Sequence, residues 1–583
     1  MKVLCGLMDE SYKYQYGIEL QDESEIFKPS EISLVSGRRD WVAFQLLIKS
    51  DEDFALSVGN RPVFSPKGPL PNIRVKCKLD GFPDAIIKMY PIGLIEDDDR
   101  IYKADLLLDD EVVDVDKGKI QPVWIEISIL EDTKPGVYKG EVNLYAQSMF
   151  EDEQNIKTFN FTLTVKNVLL HKPKDFNFHL DLWQHLSNIA RKHKVHLWSN
   201  EHFEVIEKYV KSLADLGQKA ITIIASEIPW SGQRCFRVKN YPSDLFEYNM
   251  ARIEKDETGR YIYDLSVIER YVNMCFSYGI DREIEIFGLI NIWTDSENGY
   301  DSIVEDYPDA IRIRYYNRAD GCYKYMRTAN EIKDYIKALE QFFIKKGWIE
   351  KVRIVADEPG DTELYYKRLK LLKKIAPTFK FKAAINHPEF IDRFKDEIDD
   401  FVPILPCVCE KWEELEKLKE QIKGRFLWYV CCWPPRPNTF ISSPLLESRL
   451  IGILTAFINF DGFLRWNYTV WPEKPRERLS YRYPHWKAGD TNFVYPSWNG
   501  GPIFSLRYKN LKRGIEDFEL ISMLKKTRTD SQLILEKIWD KIFRTKNIID
   551  FSPSYDKRAE ELYSLDYADY QAFRTALLEA LEE

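Results

Sequence analysis

The sequence predicts an α/β protein: an N-terminal β-sandwich, then a (β/α)8 TIM-like barrel, then C-terminal helices. Three observations predict it. The first 172 residues carry β-branched and aromatic runs with no convincing helix between them. From residue 173 short apolar runs alternate with amphipathic helical stretches. Beyond about residue 505 the pattern is helical. The implied division is 1–172 for the sandwich, 173–525 for the barrel and 526–583 for helices packed on it. A chain of 583 residues is too long for one ordinary core.

In the first part the runs are 41–48 (WVAFQLLI), 123–129 (VWIEISI) and 159–165 (FNFTLTV). The last two alternate between apolar and polar, as strands with one covered face do. Turn signals such as Ser36-Gly37 and Lys134-Pro135-Gly136 separate such runs. In the second part eight apolar runs read as buried strands, at 178–183, 220–228, 284–290, 352–356, 381–385, 401–405, 426–432 and 462–466. Helical segments such as 204–213, 330–343 and 363–375 separate most of them. Eight β-then-α units suit a (β/α)8 barrel, with a doubly wound sheet as the alternative. No internal repeat or low-complexity segment stands out.

Composition narrows the function. A net charge of −10 with no Lys/Arg-rich run argues against nucleic acid, whose binding rests on phosphate neutralisation. No apolar stretch reaches the roughly 18 residues of a membrane span. The first ten residues are too short and too soon acidic for a signal peptide, so the expectation is a cytoplasmic protein or an exported one whose leader has been removed. Nine cysteines at irregular spacing fit reduced thiols. Cys407/Cys409 and Cys431/Cys432 lack a second cluster at ligand spacing, so buried structural roles are expected and neither metal nor cofactor is. The 15 Trp, 33 Tyr and 33 Phe suit stacking on sugar faces, and equally suit large cores.

The most informative motif is Asp357-Glu358-Pro359-Gly360, directly after the run 352–356. In a (β/α)8 barrel the strand C-termini carry the active site. Two adjacent carboxylates there lose water and raise each other's pKa, an arrangement tolerated mostly where chemistry uses it. The bland reading is a charged turn capping a strand. Adjacent strand residues point to opposite faces, so both acids reach one cleft only if the strand ends or bulges there. Pro359 favours extended backbone at Glu358, and Gly360 permits a sharp departure.

Other strand ends supply polar and aromatic candidates: Trp183 and His185, Trp293, Asn386 and His387, Tyr429, Trp433, then Trp466 and Asn467. Trp466 and Trp433 read as a sugar-stacking floor or as core. Asn386 and His387 read as hydroxyl ligands or as structural groups. Tyr429 reads as a hydrogen-bond donor to a substrate amide or as an outer-layer residue. Asp490, in the loop after the last strand, reads as an acceptor for sugar hydroxyls or as a helix cap. Arg449 and Arg507 read as structural ion pairs.

Several further segments carry a family pattern. They are Asp357-Glu358-Pro359, Asn438-Thr439-Phe440-Ile441 with Ser448-Arg449, and 461–466 (DGFLRW). Gly489-Asp490 with Tyr495-Pro496 follows, and then Ser505-Leu506-Arg507 with 513–519 (RGIEDFE). In these the chain resembles the catalytic domain of glycoside hydrolase family 123, over about 350–525 and more loosely 175–350. Ala43-Phe44-Gln45-Leu46 and 135–140 (PGVYKG) look like the β-sandwich that precedes it. The resemblance implies a retaining, exo-acting β-N-acetylgalactosaminidase. The substrate's own 2-acetamido group would be the nucleophile, Asp357 would orient it and Glu358 would be the general acid/base. The implied partner is a glycan or glycoside ending in an N-acetylhexosamine. β-N-acetylglucosaminidase activity and a non-catalytic sugar binder are the alternatives, and oligomeric state is left open. The segment 473–487, rich in Arg and Tyr, departs from the pattern and is expected to shape the substrate pocket.

Overall fold

The computed structural model describes residues 1–17, 23–28, 31–148, 150–229, 246–294, 296, 299–422, 424–479 and 486–582. The fold is mixed α/β with a β-rich N-terminal region. That region holds two six-stranded sheets. One runs in the order Val3–Asp9, Asp40–Ser50, Ile120–Ile129, Ile87–Glu96, Tyr102–Leu107, Gln15–Tyr16. The other runs Ile32–Arg38, Gln154–Leu169, Gly136–Gln147, Asn72–Leu79, Phe54–Val58, Val112–Val115.

The long strand Asp40–Ser50 shows why its sequence is apolar almost throughout. Phe44, Leu46 and Ile48 point between the two sheets, where they meet Val75, Val142 and Phe161. Trp41, Ala43 and Leu47, on the opposite face, join Trp124, Leu445 and Leu506 in a second cluster. Both faces are covered, so period-two alternation of polarity is absent.

The second half contains eight parallel strands, here numbered β1 (His179–Leu182), β2 (Ala220–Ile224), β3 (Glu283–Phe287), β4 (Val352–Asp357), β5 (Lys380–Ile385), β6 (Asp400–Pro403), β7 (Leu427–Tyr429) and β8 (Gly462–Arg465). They do not form one continuous ladder, so the expected closed barrel is met only as two half-barrels. β1, β8 and β7 make a three-stranded sheet in the order β1-β8-β7, and β2 to β6 make a five-stranded one. The two curl as half-barrels that touch through isolated bridges, Leu180 to Gln218 at one seam and Phe401 to Phe426 and Ile404 to Tyr429 at the other.

The physical reason is local. At the first seam side chains replace backbone pairing. Gln218 accepts from the Leu182 N–H (3.0 Å) and donates to the carbonyls of Leu182 (3.1 Å) and Ala220 (2.9 Å). Thr222 and Gln184 exchange bonds in the same way. At the second seam β7 is only three residues long.

One apolar cluster fills the second half and runs into the helices Leu506–Thr527, Ser531–Ile542 and Tyr567–Glu582. No helix among the described residues is long and apolar enough to cross a membrane.

Candidate active site

β4 is buried from Val352 to Ala356 and pairs with β5 as far as Asp357 opposite Ala384. Period two places Val355 and Asp357 on one face, and both line a cavity of about 490 Å³. Continued extension would turn Glu358 away. Instead Glu358 takes φ = +44°, in the left-handed region, while its N–H still donates to the Ala384 carbonyl at 3.1 Å. That rotation brings Glu358 to the same cavity as Asp357. A non-glycine residue there carries about 1–3 kcal/mol of strain, which points to a built site.

The Glu358 carboxyl is met by Tyr429 from the end of β7, whose hydroxyl donates to Oε1 at 2.5 Å. Burial raises the Glu358 pKa. The Tyr429 hydrogen bond and the charge of His387 pull it back only in part. Burial and the neighbouring Glu358 likewise push the Tyr429 phenol well above its usual range.

Further wall comes from Ile228 and Pro229, from the segment after β3 and from the helix after β4. Trp293 lines the cavity beside Asn291 and Ile292, and Leu364 and Arg368 present one face of helix Thr362–Ile375. Asn291, also left-handed at φ = +57°, donates through Nδ2 to the Asp357 carbonyl at 2.8 Å. Asp309 accepts from the N–H groups of Asn291 (2.6 Å) and Ile292 (2.9 Å) and lies 3.5 Å from Arg368 Nε. Burial lifts Asp309 to about 6, with Arg368 and three backbone N–H groups opposing the rise. The sequence marks neither Asp309 nor Arg368 as a site residue. Asn291 stands at a strand end beside Trp293, which was a usable signal. Asp309, in a loop, and Arg368, in a helix, carry none.

The other sequence candidates fall into separate groups. His185, Trp466, Asn467 and Asp490 are buried together: the His185 and Trp466 rings meet edge-on, Trp466 Nε1 donates to Asp490 Oδ1 (3.3 Å) and Asn467 Nδ2 to the Asp490 carbonyl. Arg465 pairs with Asp490 at 2.8 Å. Burial raises Asp490 to about 6 and lowers His185 to about 3. Trp183 is fully buried and packs edge-on against Phe287. Asn386 is half-buried and His387 exposed at the end of β5. Trp433 is 48% exposed. Cys407 and Cys409 are buried, but Cys432 is exposed because the chain leaves β7 for the surface there. Arg449 pairs with Asp517 (2.7 Å) and Arg507 with Asp105 (2.9 Å). Of the variable segment 473–487, residues 480–485 lie outside the described residues.

Asp181, Glu283 and Glu285 approach one another closely enough to hold a cation. The Lys382 ammonium stands among them at 2.5, 2.9 and 2.8 Å and supplies that charge. Burial and Asp181 push the Glu285 carboxyl well above the usual carboxylate range, with the Lys382 ammonium opposing the rise.

Paired acids in a cleft at a strand C-terminus are groups of the kind that glycoside hydrolysis uses. A family profile described as glycoside hydrolase 123, catalytic domain, matches residues 183–524, and one described as its N-terminal domain matches 94–146. The chain belongs to glycoside hydrolase family 123. Among solved structures it is similar to a family 123 glycoside hydrolase from Clostridium perfringens, studied for glycolipid glycan hydrolysis, at 19% identity and a TM-score of 0.73, covering 100% of this chain and 97% of that one. A putative glycoside hydrolase from Bacteroides vulgatus follows at 10% identity and a TM-score of 0.33, covering 86% and 79%. No curated protein matches the sequence. As a glycosidase, the protein acts on a glycan.

Proposed function

We propose that this glycosidase removes terminal β-linked N-acetylgalactosamine by a retaining, substrate-assisted route. The observation that carries the reading is the placement of Asp357 and Glu358 on one cavity, with burial raising the Glu358 pKa. The acetamido carbonyl oxygen attacks the anomeric carbon as the bond to the leaving oxygen breaks, giving an oxazolinium ion. Asp357 accepts the acetamido N–H, a bond that strengthens as the nitrogen becomes electron-poor. Because Tyr429 donates to Oε1 of Glu358, the transferable proton belongs on Oε2, from which it passes to the leaving oxygen. Water then opens the ring as Glu358 takes its proton, and two inversions give retention.

Trp293, which lines the cavity, is proposed to contact the sugar. The two half-barrels are read as one eight-stranded barrel, and residues 1–172, 173–525 and 526–583 as the sandwich, the barrel and the helices packed on it. A cytoplasmic or exported location is equally compatible with this chemistry.

Chromogenic glycosides test the proposal. Release from the β-GalNAc substrate and not from the β-GlcNAc one is expected; the reverse selects a β-N-acetylglucosaminidase. No release from any aminosugar glycoside, with sugar binding retained, selects a non-catalytic binder. Glu358→Gln is expected to slow hydrolysis of poor leaving groups by about 100- to 10,000-fold and activated ones much less. Asp357→Asn is expected to fail on both. A thiazoline analogue is expected to inhibit; indifference to it would point to an enzyme nucleophile.

A further inference from the structure

The peptide unit between the two acids needs support that the sheet provides on one side only. Toward β5 its N–H, belonging to Glu358, bonds the Ala384 carbonyl at 3.1 Å. Toward β3 the ladder stops at Ile286 opposite Ile354, three residues short of Asp357. Gly288 and Asn291, both at positive φ, carry the chain away from the sheet there. On that side the Asp357 carbonyl is met by the Asn291 side chain at 2.8 Å.

Asn291 is itself fixed from two directions. Its N–H is held by Asp309 at 2.6 Å, and its Oδ1 faces Arg368 Nη1 at 3.5 Å. Arg368 can only donate, so the amide keeps its oxygen toward Arg368 and its nitrogen toward Asp357. Asp309, 3.5 Å from Arg368 Nε, closes the triangle.

We infer that Asn291 is a positioning residue: with Asp309 and Arg368 behind it, it clamps the Asp357–Glu358 peptide so that both carboxyls face one cavity. Without the clamp this peptide can rotate toward the extended backbone that alternation favours, and Glu358 leaves Tyr429 and the cavity. The inference rests on the proposed roles of the two acids for its kinetic consequence, but not for its structural one.

Asn291→Gly is the test, because glycine keeps the left-handed backbone without strain and removes only the amide. Two readouts are needed. The first is amide hydrogen exchange at Glu358 by mass spectrometry, which is expected to accelerate at least tenfold while the rest of β4 keeps wild-type protection. The second is kinetics on the chromogenic glycoside. A displacement of about 1 Å at reacting groups costs about 100-fold, so kcat is expected to fall by that order with KM within about twofold. Unchanged exchange overturns the clamp. Raised KM with unchanged kcat overturns it too, and makes Asn291 a substrate ligand. If the wild-type protein hydrolyses no aminosugar glycoside, the proposed function fails and the exchange experiment alone decides the clamp.

Discussion

Glu358 is governed by two neighbours that act in opposite senses. Burial raises its pKa, and the hydroxyl of Tyr429 lowers it by donating to the carboxylate. Tyr429→Phe removes the donor, so the carboxylate is worse solvated and the pKa climbs further. On the proposed mechanism, general-acid activity is present while Glu358 is protonated and is lost as pH rises through its folded pKa. The alkaline limb of kcat/KM is therefore expected to move to higher pH in Tyr429→Phe, and a pH–rate profile measures it. A limb that stays in place would assign the titration to another group. The sign for stability is the same: a raised folded pKa gives a contribution present below the ordinary glutamate range and lost as pH rises through the folded value.

At the scale of elements, the segment 513–519 (RGIEDFE) owes its pattern to helix packing as much as to chemistry. Helices Leu445–Phe457 and Leu506–Thr527 cross at Gly452 and Gly514. A Cβ on Gly514 would lie 2.1 Å from the Arg449 carbonyl oxygen, and one on Gly452 1.9 Å from that of Gly514. Alanine is the better helix former by about 1 kcal/mol, but here it meets backbone, which cannot step aside. Gly514→Ala is therefore expected to destabilise by about 1–3 kcal/mol as the helices are forced apart, seen as a lower denaturant midpoint. A neutral or stabilising result would mean that this crossing is loose. The same element-level logic applies at β4, whose ladder to β5 outlasts its ladder to β3 and leaves room for Asn291.

Across the whole molecule, the β-rich N-terminal region is joined to the C-terminal helices by buried charge. Asp40, on the strand Asp40–Ser50, meets Arg513 at 3.0 Å and Arg574 at 2.8 Å, and Asp517 meets Arg574 at 2.6 Å. Glu10 reaches Arg449 and Arg513, both at 3.4 Å. Burial opposes ionisation of Asp40, but the Arg574 and Arg513 guanidiniums outweigh it and hold its pKa below the usual aspartate value. A depressed folded pKa gives stability that is present above the ordinary range, near pH 4, and lost as pH falls through the folded value. Removing one partner of such a group strands the other, so Asp40→Asn is expected to cost about 3–5 kcal/mol at neutral pH and to lose less stability than wild type on acidification. Chemical denaturation at pH 7 and at pH 3 measures both. Equal acid sensitivity in the two proteins would remove Asp40 from the account.

What the sequence by itself determined is whatever adjacent residues encode. The apolar runs marked all eight core strands within a few residues, Gly360 and Pro359 marked a break after β4, and Asp357-Glu358 marked a pair of acids at a strand end. Three decisions came only from tertiary structure. The eight strands divide into two sheets, because Gln218 and Gln184 side chains take over backbone partners at one seam. Glu358 turns into the Asp357 cavity because its backbone is left-handed, and Tyr429, 71 residues away, meets it there. Asn291, Asp309 and Arg368 converge on one peptide from a strand end, a loop and a helix. Periodicity and turn chemistry report on neighbours along the chain, whereas a hydrogen bond between distant segments leaves no mark until the chain has folded.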